Sequence, residues 1–426
     1  MKRTKIALSA LLLASLSACN VTPSESNPSL SGNPQGSSNP QTSEAYQIKV
    51  WAAEEAQELT LKQLNDFKTQ NPKFNVEFTL EAVGEGDAAS SMITDVEAGA
   101  DVFCFPQDQL ARLVSAGALA KVSSSLVDDL TSANDSGSVA AATFNNSMYA
   151  YPLTSDNGYF MYYDKRYIKE SSLTDMSAII ADCKENNKLF SFQLGTDGGW
   201  YNASFFFATG CQTTWTADDN GKLSSYVDTY NSANGLIAVK GMKELITSGV
   251  YNNASGAPSA FGSGSAVCIS GTWDYVNTLA ALGENMGVAE LPYFTVDGTS
   301  YHLGSFGGYK LIGVKPQIDA TKAAICALVA QHLTSETCQK ERFDTLAWGP
   351  SNVVAQESEA VKANPALTAL AAQSKYAIPQ GQYPDGWWNV AAAIGSDIEA
   401  AGASATDEQL QAILDAYTAG LESCKQ

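Results

Sequence analysis

Histidine is nearly missing from this chain of 426 residues, which contains only His302 and His332, each outside any motif. Most zinc sites and activated Ser or Cys nucleophiles need histidine beside partners at fixed spacings. The scarcity therefore argues against a histidine-based metal site or nucleophile. No motif predicts a cofactor.

Basic residues are also scarce, since 25 Lys and Arg stand against 45 Asp and Glu, a net charge of −20. Without Lys2, Arg3 and Lys5 of the N-terminal leader, 22 basic groups remain and the charge is −23. Such a surface repels phosphate backbones and anionic lipids, which excludes a nucleic-acid partner. The acidity is that expected of a soluble exported protein.

Long apolar runs are absent after residue 19, where no segment approaches the ~20 apolar residues that span a bilayer. The first 19 residues combine a basic start, an apolar stretch from Ile6 to Leu16, and Leu16-Ser17-Ala18-Cys19. They resemble a lipoprotein signal peptide with a bacterial lipobox. The resemblance implies that Cys19 becomes a lipidated N-terminus, anchored to the outer face of the cytoplasmic membrane. The alternative is an ordinary secretory signal that ends in Cys.

Seven cysteines besides Cys19 form no C-x-x-C pair and resemble neither a zinc site nor a disulfide framework. We expect mostly buried thiols, and a bridge between two of them stays open. Residues 20–45 are rich in Ser, Asn, Pro and Gly, with few large apolar side chains. Such a segment cannot bury enough surface to offset its ordering entropy, so it is predicted to be a flexible tether.

Apolar periodicity from residue 46 onward predicts alternating strands and helices. The predicted elements are a strand at 48–51, a helix ending at Asn71-Pro72, a strand at 74–78, a helix with Met92 and Val96 ending near Gly99, a strand at 101–105 and a helix ending at Gly117. Loops this short indicate parallel βαβ units and therefore an α/β lobe.

The second half begins with a crossover after Tyr151-Pro152. Further elements follow in chain order, namely strands at 159–163, 188–194 and 266–269, a helix at 203–209, strand-like character at 304–314 and mostly helix to the end. Asp218-Asp219-Asn220-Gly221 lacks the spaced ligands of a calcium loop and predicts a β-turn. The stretch 261–265 lacks the Lys of a phosphate-binding loop and predicts a turn before a strand.

Several segments, taken in order, resemble the family 1 extracellular solute-binding proteins of bacterial ABC transporters, the maltose-binding-protein-like group. They cover nearly all of residues 47–400. The segments are Ile48-Lys49-Val50-Trp51, Asp101-Val102-Phe103, Gly117-Ala118-Leu119, Tyr151-Pro152-Leu153, Tyr162-Tyr163-Asp164, 261–273, Leu291-Pro292, Gly307-Gly308-Tyr309 and 383–388. The family usually has Asn where Asp164 stands, which affects local hydrogen bonding.

The resemblance implies a two-lobed, type II periplasmic-binding-protein-like fold with a hinge. The N-lobe would comprise 46–153 plus 304–354 and the C-lobe 154–303 plus 355–426, with crossings near Thr154, 302–304 and Val354. It also implies a monomer that carries a carbohydrate to membrane permease subunits served by a cytoplasmic ATPase, with no catalytic residues of its own. A binding protein for another solute, or a secreted glycosidase, remains the alternative.

Sugars present apolar C–H faces and a rim of hydroxyls, so their sites need aromatic platforms and convergent polar groups. Five aromatic residues follow glycine-containing turns and are candidate platforms in a cleft. They are Trp200, Tyr201, Trp273, Trp387 and Trp388. The alternative for each is packing between a lobe and a helix.

Three acids lie just beyond predicted strands, where ligands of open α/β sheets bind, namely Glu55, Asp108 and Asp156. The resemblance also places Phe105 and Gln109 at ligand-contacting positions. Asp108 as a helix cap, and Glu54 in place of Glu55, are the alternatives.

Overall fold

The protein is described from a computed structural model that covers residues 44–426. The predicted leader, the lipidation site Cys19 and the tether up to residue 43 lie outside these residues. The described chain contains eighteen strands. These are β1 (Tyr46–Ala52), β2 (Val76–Ala82), β3 (Val102–Pro106), β4 (Thr143–Phe144), β5 (Ser147–Met148), β6 (Ala150–Thr154), β7 (Phe160–Asp164), β8 (Leu189–Ser191), β9 (Thr213–Ala217), β10 (Leu223–Asp228), β11 (Tyr251–Asn252), β12 (Ser265–Ser270), β13 (Met286–Ala289), β14 (Tyr293–Val296), β15 (Thr299–His302), β16 (Ser305–Gly307), β17 (Lys310–Val314) and β18 (Ala377–Pro379).

Seventeen α-helices accompany these strands within residues 44–426. They are α1 (Gln57–Gln70), α2 (Glu85–Thr94), α3 (Leu110–Ser115), α4 (Ser124–Ala133), α5 (Ser136–Ala141), α6 (Met176–Glu185), α7 (Gly199–Ala208), α8 (Ala233–Ile246), α9 (Ala257–Gly262), α10 (Tyr275–Leu282), α11 (Ala320–Leu333), α12 (Glu336–Leu346), α13 (Val353–Gln356), α14 (Glu359–Lys362), α15 (Pro365–Gln373), α16 (Asp385–Ala401) and α17 (Asp407–Leu421).

The first large sheet has the strand order β2-β1-β3-β17-β6. Strand β1 pairs in parallel with β2 and β3, which confirms the predicted βαβ units, whereas β17 runs antiparallel to β3 and β6. Apolar side chains of this sheet and of α1, α2, α3 and α11 form one buried core. We call this sheet and its helices the N-lobe.

The second large sheet has the order β11-β8-β12-β7-β13. Strand β8 pairs in parallel with β11 and β12, and β7 runs antiparallel to β12 and β13. Every residue of β12 is buried, as expected of a strand covered on both faces. Helices α7, α8, α16 and α17 pack into the core on this sheet, and we call the whole the C-lobe.

The chain passes between the two sheets in three places. The first passage joins the end of β6 at Thr154 to the start of β7 at Phe160. Phe306 belongs to the C-lobe core although Lys310 begins a strand of the N-lobe sheet, so the second passage lies a few residues beyond the predicted one. The third passage falls between α12, which packs on α1, and α15, which packs on β7.

Some local predictions differ from the structure. Helix α2 ends at Thr94, so Val96 lies outside it, and the stretch predicted to be strand-like from Gly304 to Val314 forms two separate strands. The predicted turn at Asp218 is confirmed between β9 and β10, where the Asp218 carboxylate accepts hydrogen bonds from the backbone N–H of Asn220 (2.8 Å) and Lys222 (2.9 Å).

The seven cysteines in the described range are free and buried, in line with the expected small apolar thiols. Between residues 44 and 426 no group of three or more His, Cys, Asp or Glu side chains is arranged to hold a metal ion. In the same range no helix has the length and apolar character needed to cross a bilayer.

Candidate functional site

A cleft between the two lobes encloses a cavity of about 410 Å³. Small-molecule sites typically have volumes of about 300–1,000 Å³. The lining residues come from both lobes and from the segments that connect them. They are Glu55, Glu85, Gly86, Asp87, Pro106, Asp108, Gln109, Asn157, Trp200, Tyr201, Trp273, Lys310, Gln380 and Trp388. Seven residues predicted for ligand contact are among them, and Phe105, Asp156 and Trp387 are not.

The C-lobe side of this cleft is aromatic. Trp200 and Tyr201 lie in the first turn of α7, Trp388 lies in the first turn of α16, and Trp273 lies in the short turn after β12. The ring centroid of Trp200 is 6.0 Å from that of Trp273 and 5.0 Å from that of Tyr201. Sequence reasoning placed these residues on loops. Most of them instead begin helices, which hold the rings on rigid elements.

A glycine allows α7 and α16 to approach closely enough to share this wall. A Cβ atom at Gly199 would lie 2.2 Å from the backbone oxygen of Trp388, so any larger residue would push the two helices apart. Asp197, two residues earlier, has a φ of 61°, a left-handed conformation that Asp tolerates better than most residues. This turn therefore brings Trp200 beside Trp388.

The Trp200 indole is fixed by neighbouring rings but has an unused donor. Its ring meets Tyr159 edge-on at 4.6 Å and lies parallel to Phe306 at 6.4 Å. Its Nε1 is buried and finds no hydrogen-bond partner among the described residues. A buried donor without an acceptor costs about 1–3 kcal/mol.

The N-lobe side of the cleft is polar. Glu55 follows β1, Asp108 and Gln109 follow β3, and Glu85 and Asp87 lie in the first turn of α2. Strands β1 and β3 are parallel neighbours, so the residues that follow them meet at one edge of the sheet. This edge is the position at which open α/β sheets bind ligands.

Asp108 is the most electrostatically perturbed acid of this wall. Its side chain is 3% exposed, and its Oδ1 has no hydrogen-bond partner within residues 44–426. Burial raises the pKa of Asp108 to about 7, although the positive charge of Arg112 acts in the opposite direction. Asp108 makes no side-chain cap to α3, whose N-cap residue is Gln109. The capping alternative is therefore wrong.

Gln109 lines the cleft, but its amide already has partners on α2. Its Nε2 donates to the backbone oxygen of Gly86 (2.6 Å), and its Oε1 accepts from the backbone N–H of Ala89 (3.0 Å). Both atoms thus hold the beginning of α2 against the end of β3. The geometry gives Gln109 a positioning role for the Glu85 and Asp87 turn.

Lys310 is a cleft residue that sequence reasoning missed. It is 5% exposed, its Nζ is 3.5 Å from Glu85 Oε1, and the ammonium lies 5.4 Å from the ring centroid of Trp273 and 3.9 Å from that of Trp348. Burial lowers the pKa of Lys310, but the nearby carboxylates, Glu85 foremost, outweigh it and raise the pKa. The sequence signal that could have identified Lys310 is a lysine at the start of the otherwise apolar strand β17.

Asn157 and Gln380, also missed, come from the connecting segments. Both are buried, and Asn157 Nδ2 donates to Gln380 Oε1 over 3.3 Å. They close the cleft on the side of the first passage between the sheets. Neither residue stands in a motif or periodic pattern, so the sequence carries no signal for them.

Two predicted aromatic contacts are corrected by the structure. Phe105 is fully buried in the N-lobe core, because β3 is an inner strand whose residues from Val102 to Phe105 are all buried in that core. Trp387 is also fully buried, packs against Tyr383 at 4.4 Å and donates from Nε1 to the Tyr417 hydroxyl over 3.1 Å. Adjacent positions on a helix face different directions, so only Trp388 of this pair reaches the cleft.

Asp156 is likewise placed away from the cleft lining. Its Oδ2 accepts a hydrogen bond from Thr272 Oγ1 and another from the backbone N–H of Gly349, each over 2.6 Å. The side chain is 2% exposed. Asp156 therefore ties the first passage between the sheets to the turn that carries Trp273 and to the third passage, which is a structural role at the hinge.

Comparison with known proteins gives a family match over residues 62–369, to a family described as bacterial extracellular solute-binding protein. The chain belongs to this family of extracellular solute-binding proteins. Comparison with curated protein sequences gives no match.

Solved structures of such binding proteins superpose on most of the chain. A structure solved with acarbose is 27% identical, with a TM-score of 0.75, and covers 89% of this chain and 99% of its own. The maltotriose binding protein of Thermus thermophilus, bound with maltotriose, is 18% identical (TM-score 0.74; 88% and 99% covered). The maltodextrin binding protein MalE1 from L. casei BL23, without ligand, is 20% identical (TM-score 0.72; 89% and 99% covered). The two-lobed α/β fold is therefore that of solute-binding proteins.

Proposed function

We propose that this solute-binding protein is the substrate-capturing component of an ABC importer, and that its substrate is a mono- or oligosaccharide held in the cleft. Membrane permease subunits would receive the sugar, and a cytoplasmic ATPase would supply the energy. The chain would act as a monomer without a cofactor. A binding role needs no bond to break, so we propose that the protein is not an enzyme.

The observation that carries this proposal is the composition of the cleft. One wall offers Trp200, Trp273 and Trp388 as flat platforms for the apolar faces of sugar rings. The opposite wall offers the carboxylates of Asp108 and Glu55 for hydroxyl groups. A buried acceptor, Asp108 Oδ1, and a buried donor, Trp200 Nε1, both lack partners among the described residues and suit a guest with many hydroxyls.

The solved relatives support the same class of ligand. Two of those compared contain acarbose or maltotriose. Both compounds are built from linked six-membered rings, whose apolar faces match an aromatic wall and whose hydroxyl groups match a polar wall. We therefore propose maltooligosaccharides as the first sugars to test, with Glu55, Asp108, Trp200, Tyr201, Trp273 and Trp388 in contact with them and Gln109 supporting the wall.

Ligand binding would favour closure of the two lobes. A ligand shifts a conformational equilibrium only by as much as it binds one state better than the other. A sugar in this cleft contacts both walls only when the lobes are together, so it stabilises the closed form. We propose that the closed form of these two lobes is the one the permease recognises.

The test is a titration of the purified protein with glucose, maltose, maltotriose and acarbose, followed by tryptophan fluorescence and by thermal unfolding. We expect saturable fluorescence changes and a raised melting temperature. Ligand at 100 times its Kd stabilises the folded state by about 2.7 kcal/mol. A dipeptide and spermidine serve as controls for other solute classes.

Two outcomes would contradict the proposal. Stabilisation by the dipeptide or by spermidine, with no response to any sugar, would assign the cleft to a different solute. Release of shorter sugars during incubation, lost in Glu55→Gln, would indicate a glycosidase, since hydrolysis needs a pair of carboxylates at the bond.

We also propose that the protein is a lipoprotein of the cell surface, tethered through Cys19. The family is extracellular, and the leader resembles a lipobox. In cells, wild-type protein should sediment with membranes, and Cys19→Ser should release it. Membrane sedimentation of Cys19→Ser equal to wild type would contradict lipidation at this residue.

A further inference from the structure

An ion pair joins the two lobes next to the cleft without lining it. Arg112 Nη1 of α3 lies 2.8 Å from Asp385 Oδ1, the carboxylate of the first residue of α16. The same Asp385 oxygen accepts a hydrogen bond from Ser90 Oγ of α2 over 3.0 Å. The Arg112 side chain is 3% exposed and that of Asp385 is 61% exposed. A C-lobe helix is thus held to two N-lobe helices through one carboxylate.

Gln382 makes a second set of contacts between the lobes, three residues before Asp385. Its Oε1 accepts from the backbone N–H of Ala111 over 2.7 Å, and its Nε2 donates to the backbone oxygen of Gln107 over 2.8 Å. Both partners belong to the segment that carries Asp108. One C-lobe amide therefore forms hydrogen bonds to the backbone on either side of Asp108, which lines the cleft.

The tip of the β9–β10 hairpin contacts the N-lobe at the turn between β4 and β5 and at helix α3. Asn145 Nδ2 donates to the backbone oxygen of Asp219 over 2.9 Å. Gly221, with a φ of +86°, lies so close to α3 that a Cβ atom there would be 2.3 Å from the backbone oxygen of Ala111. The contacts of Asp385, Gln382 and the hairpin tip thus form a continuous lobe-to-lobe surface centred on α3.

Each side of the ion pair is close in sequence to a cleft residue. Arg112 follows Asp108, which lies in the short turn before α3, by four positions, and its positive charge acts on the Asp108 carboxyl group. Asp385 precedes Trp388 by three positions in α16, and residues at this spacing lie on the same face of a helix. The contact between Arg112 and Asp385 therefore joins the segments that carry a residue of the polar wall and a residue of the aromatic wall.

We propose that Gln382 and Asp385 form an interlobe clamp, which stabilises the closed state and raises ligand affinity without touching the ligand. This inference rests on the proposed binding function. Opening the lobes would separate all four of the polar contacts that Gln382 and Asp385 make to α2, α3 and the Gln107 segment. The clamp then adds to the closed-state population before ligand arrives, and ligand binds a larger competent fraction. Both are positioning residues.

The test compares Asp385→Asn with Asp407→Asn. Asp407 is a close match, since it is also the first residue of a helix, is 59% exposed and pairs with Lys240 at 2.7 Å, but within the C-lobe. Asp385→Asn should increase the radius of gyration of the ligand-free protein in X-ray scattering, because more molecules are open. It should also weaken maltotriose binding about fivefold, the upper range for an ion pair with one exposed partner. Asp407→Asn should change neither.

Gln382→Ala provides an independent variant, since it removes two neutral hydrogen bonds and no charge. Like Asp385→Asn, it should increase the radius of gyration of the ligand-free protein and weaken maltotriose binding. Asp385→Glu keeps the charge, so its radius of gyration and its Kd should lie between those of Asp385→Asn and wild type. A radius of gyration of Asp385→Asn and Gln382→Ala equal to that of Asp407→Asn would overturn the clamp. If wild type does not bind maltotriose while the radius still shifts, the choice of sugar is wrong and the clamp stands.

Discussion

The two walls of the cleft differ in chemistry and in how they are built. The C-lobe wall consists of rings at the beginnings of α7 and α16, packed against one another and against Phe306. The N-lobe wall consists of acids that follow strands, and Asp108 among them is buried without a partner for one oxygen in the described chain. Each wall thus has one buried polar atom without a partner in the described chain, the neutral donor Trp200 Nε1 on the aromatic side and the acceptor Asp108 Oδ1 on the polar side.

This difference separates two contributions to binding. An aromatic wall offers area and dispersion to any flat apolar surface, which gives affinity with little selectivity. A desolvated acid rejects a guest that cannot hydrogen-bond to it, because its burial then stays uncompensated. The N-lobe is therefore expected to select the ligand, and the C-lobe to hold it.

The largest expected effect concerns the stability of the N-lobe wall. The pKa of Asp108 is raised from 3.8 to about 7, so between these pH values the folded protein binds a proton that the unfolded chain lacks. Stability from this group therefore falls as pH rises from 4 to 7. Asp108→Asn removes the effect. At pH 8 its free energy of unfolding should exceed that of wild type by about 4 kcal/mol, and near pH 4 the two proteins should not differ.

Urea unfolding across this pH range measures the prediction. Asp87→Asn is the control, since Asp87 lines the same cleft and its side chain is exposed. This variant should keep the wild-type pH profile. If the free energies of unfolding of Asp108→Asn and wild type differ by the same amount at all pH values, the pKa of Asp108 is not raised and the prediction is wrong.

The next effect concerns the aromatic wall. Trp273→Ala removes a ring that packs between Trp200 and the Ala53 and Trp348 cluster, and it should weaken maltotriose binding by about 2 kcal/mol, roughly 30-fold. Calorimetric titration measures this. Trp215→Phe, in the C-lobe core away from the cleft, should lower the melting temperature and leave the Kd unchanged. Equal Kd values for Trp273→Ala and Trp215→Phe would show that the aromatic wall does not contribute to maltotriose binding.

Trp387 and Trp388 allow a core residue and a cleft residue to be compared within the first turn of α16. Trp387→Phe loses its hydrogen bond to Tyr417 and part of its core volume, so it should destabilise the fold by about 1–2 kcal/mol with the Kd unchanged. Trp388→Phe should do the reverse and weaken maltotriose binding several-fold with little loss of stability. A change of Kd in Trp387→Phe alone would contradict the assignment of Trp387 to the core.

Much of this arrangement follows from patterns in the sequence. Alternating apolar periods predict the parallel strands β1 and β3, and residues beyond strand ends, such as Glu55 and Asp108, lie in the cleft as the sheet edge requires. These inferences succeed because side-chain periodicity and strand direction are local properties of the chain. Aromatic residues beside glycine turns were found for the same reason, although the turns begin helices.

Other features depend on contacts that are distant in sequence. Asp156 looks like a cleft acid until Thr272 and Gly349 are brought to its carboxylate by the hinge. Lys310 becomes a cleft residue only because β17 inserts beside β3, more than 200 positions earlier in the chain. Trp387 and Trp388 are adjacent in sequence, and the packing of α16 against Tyr417 of α17 determines that Trp387 is the buried one.

The smallest expected effect distinguishes Glu55 from its neighbour Glu54, which the sequence alone does not separate. Glu55 lines the cleft, and burial raises the pKa of its carboxyl group. Glu55→Gln keeps the shape and one acceptor, so maltotriose binding should weaken only about threefold, the loss of one charge-assisted hydrogen bond in a partly wet site. Glu54→Gln should bind as wild type does. If Glu54→Gln alone weakens binding, the assignment of Glu55 to the polar wall is wrong.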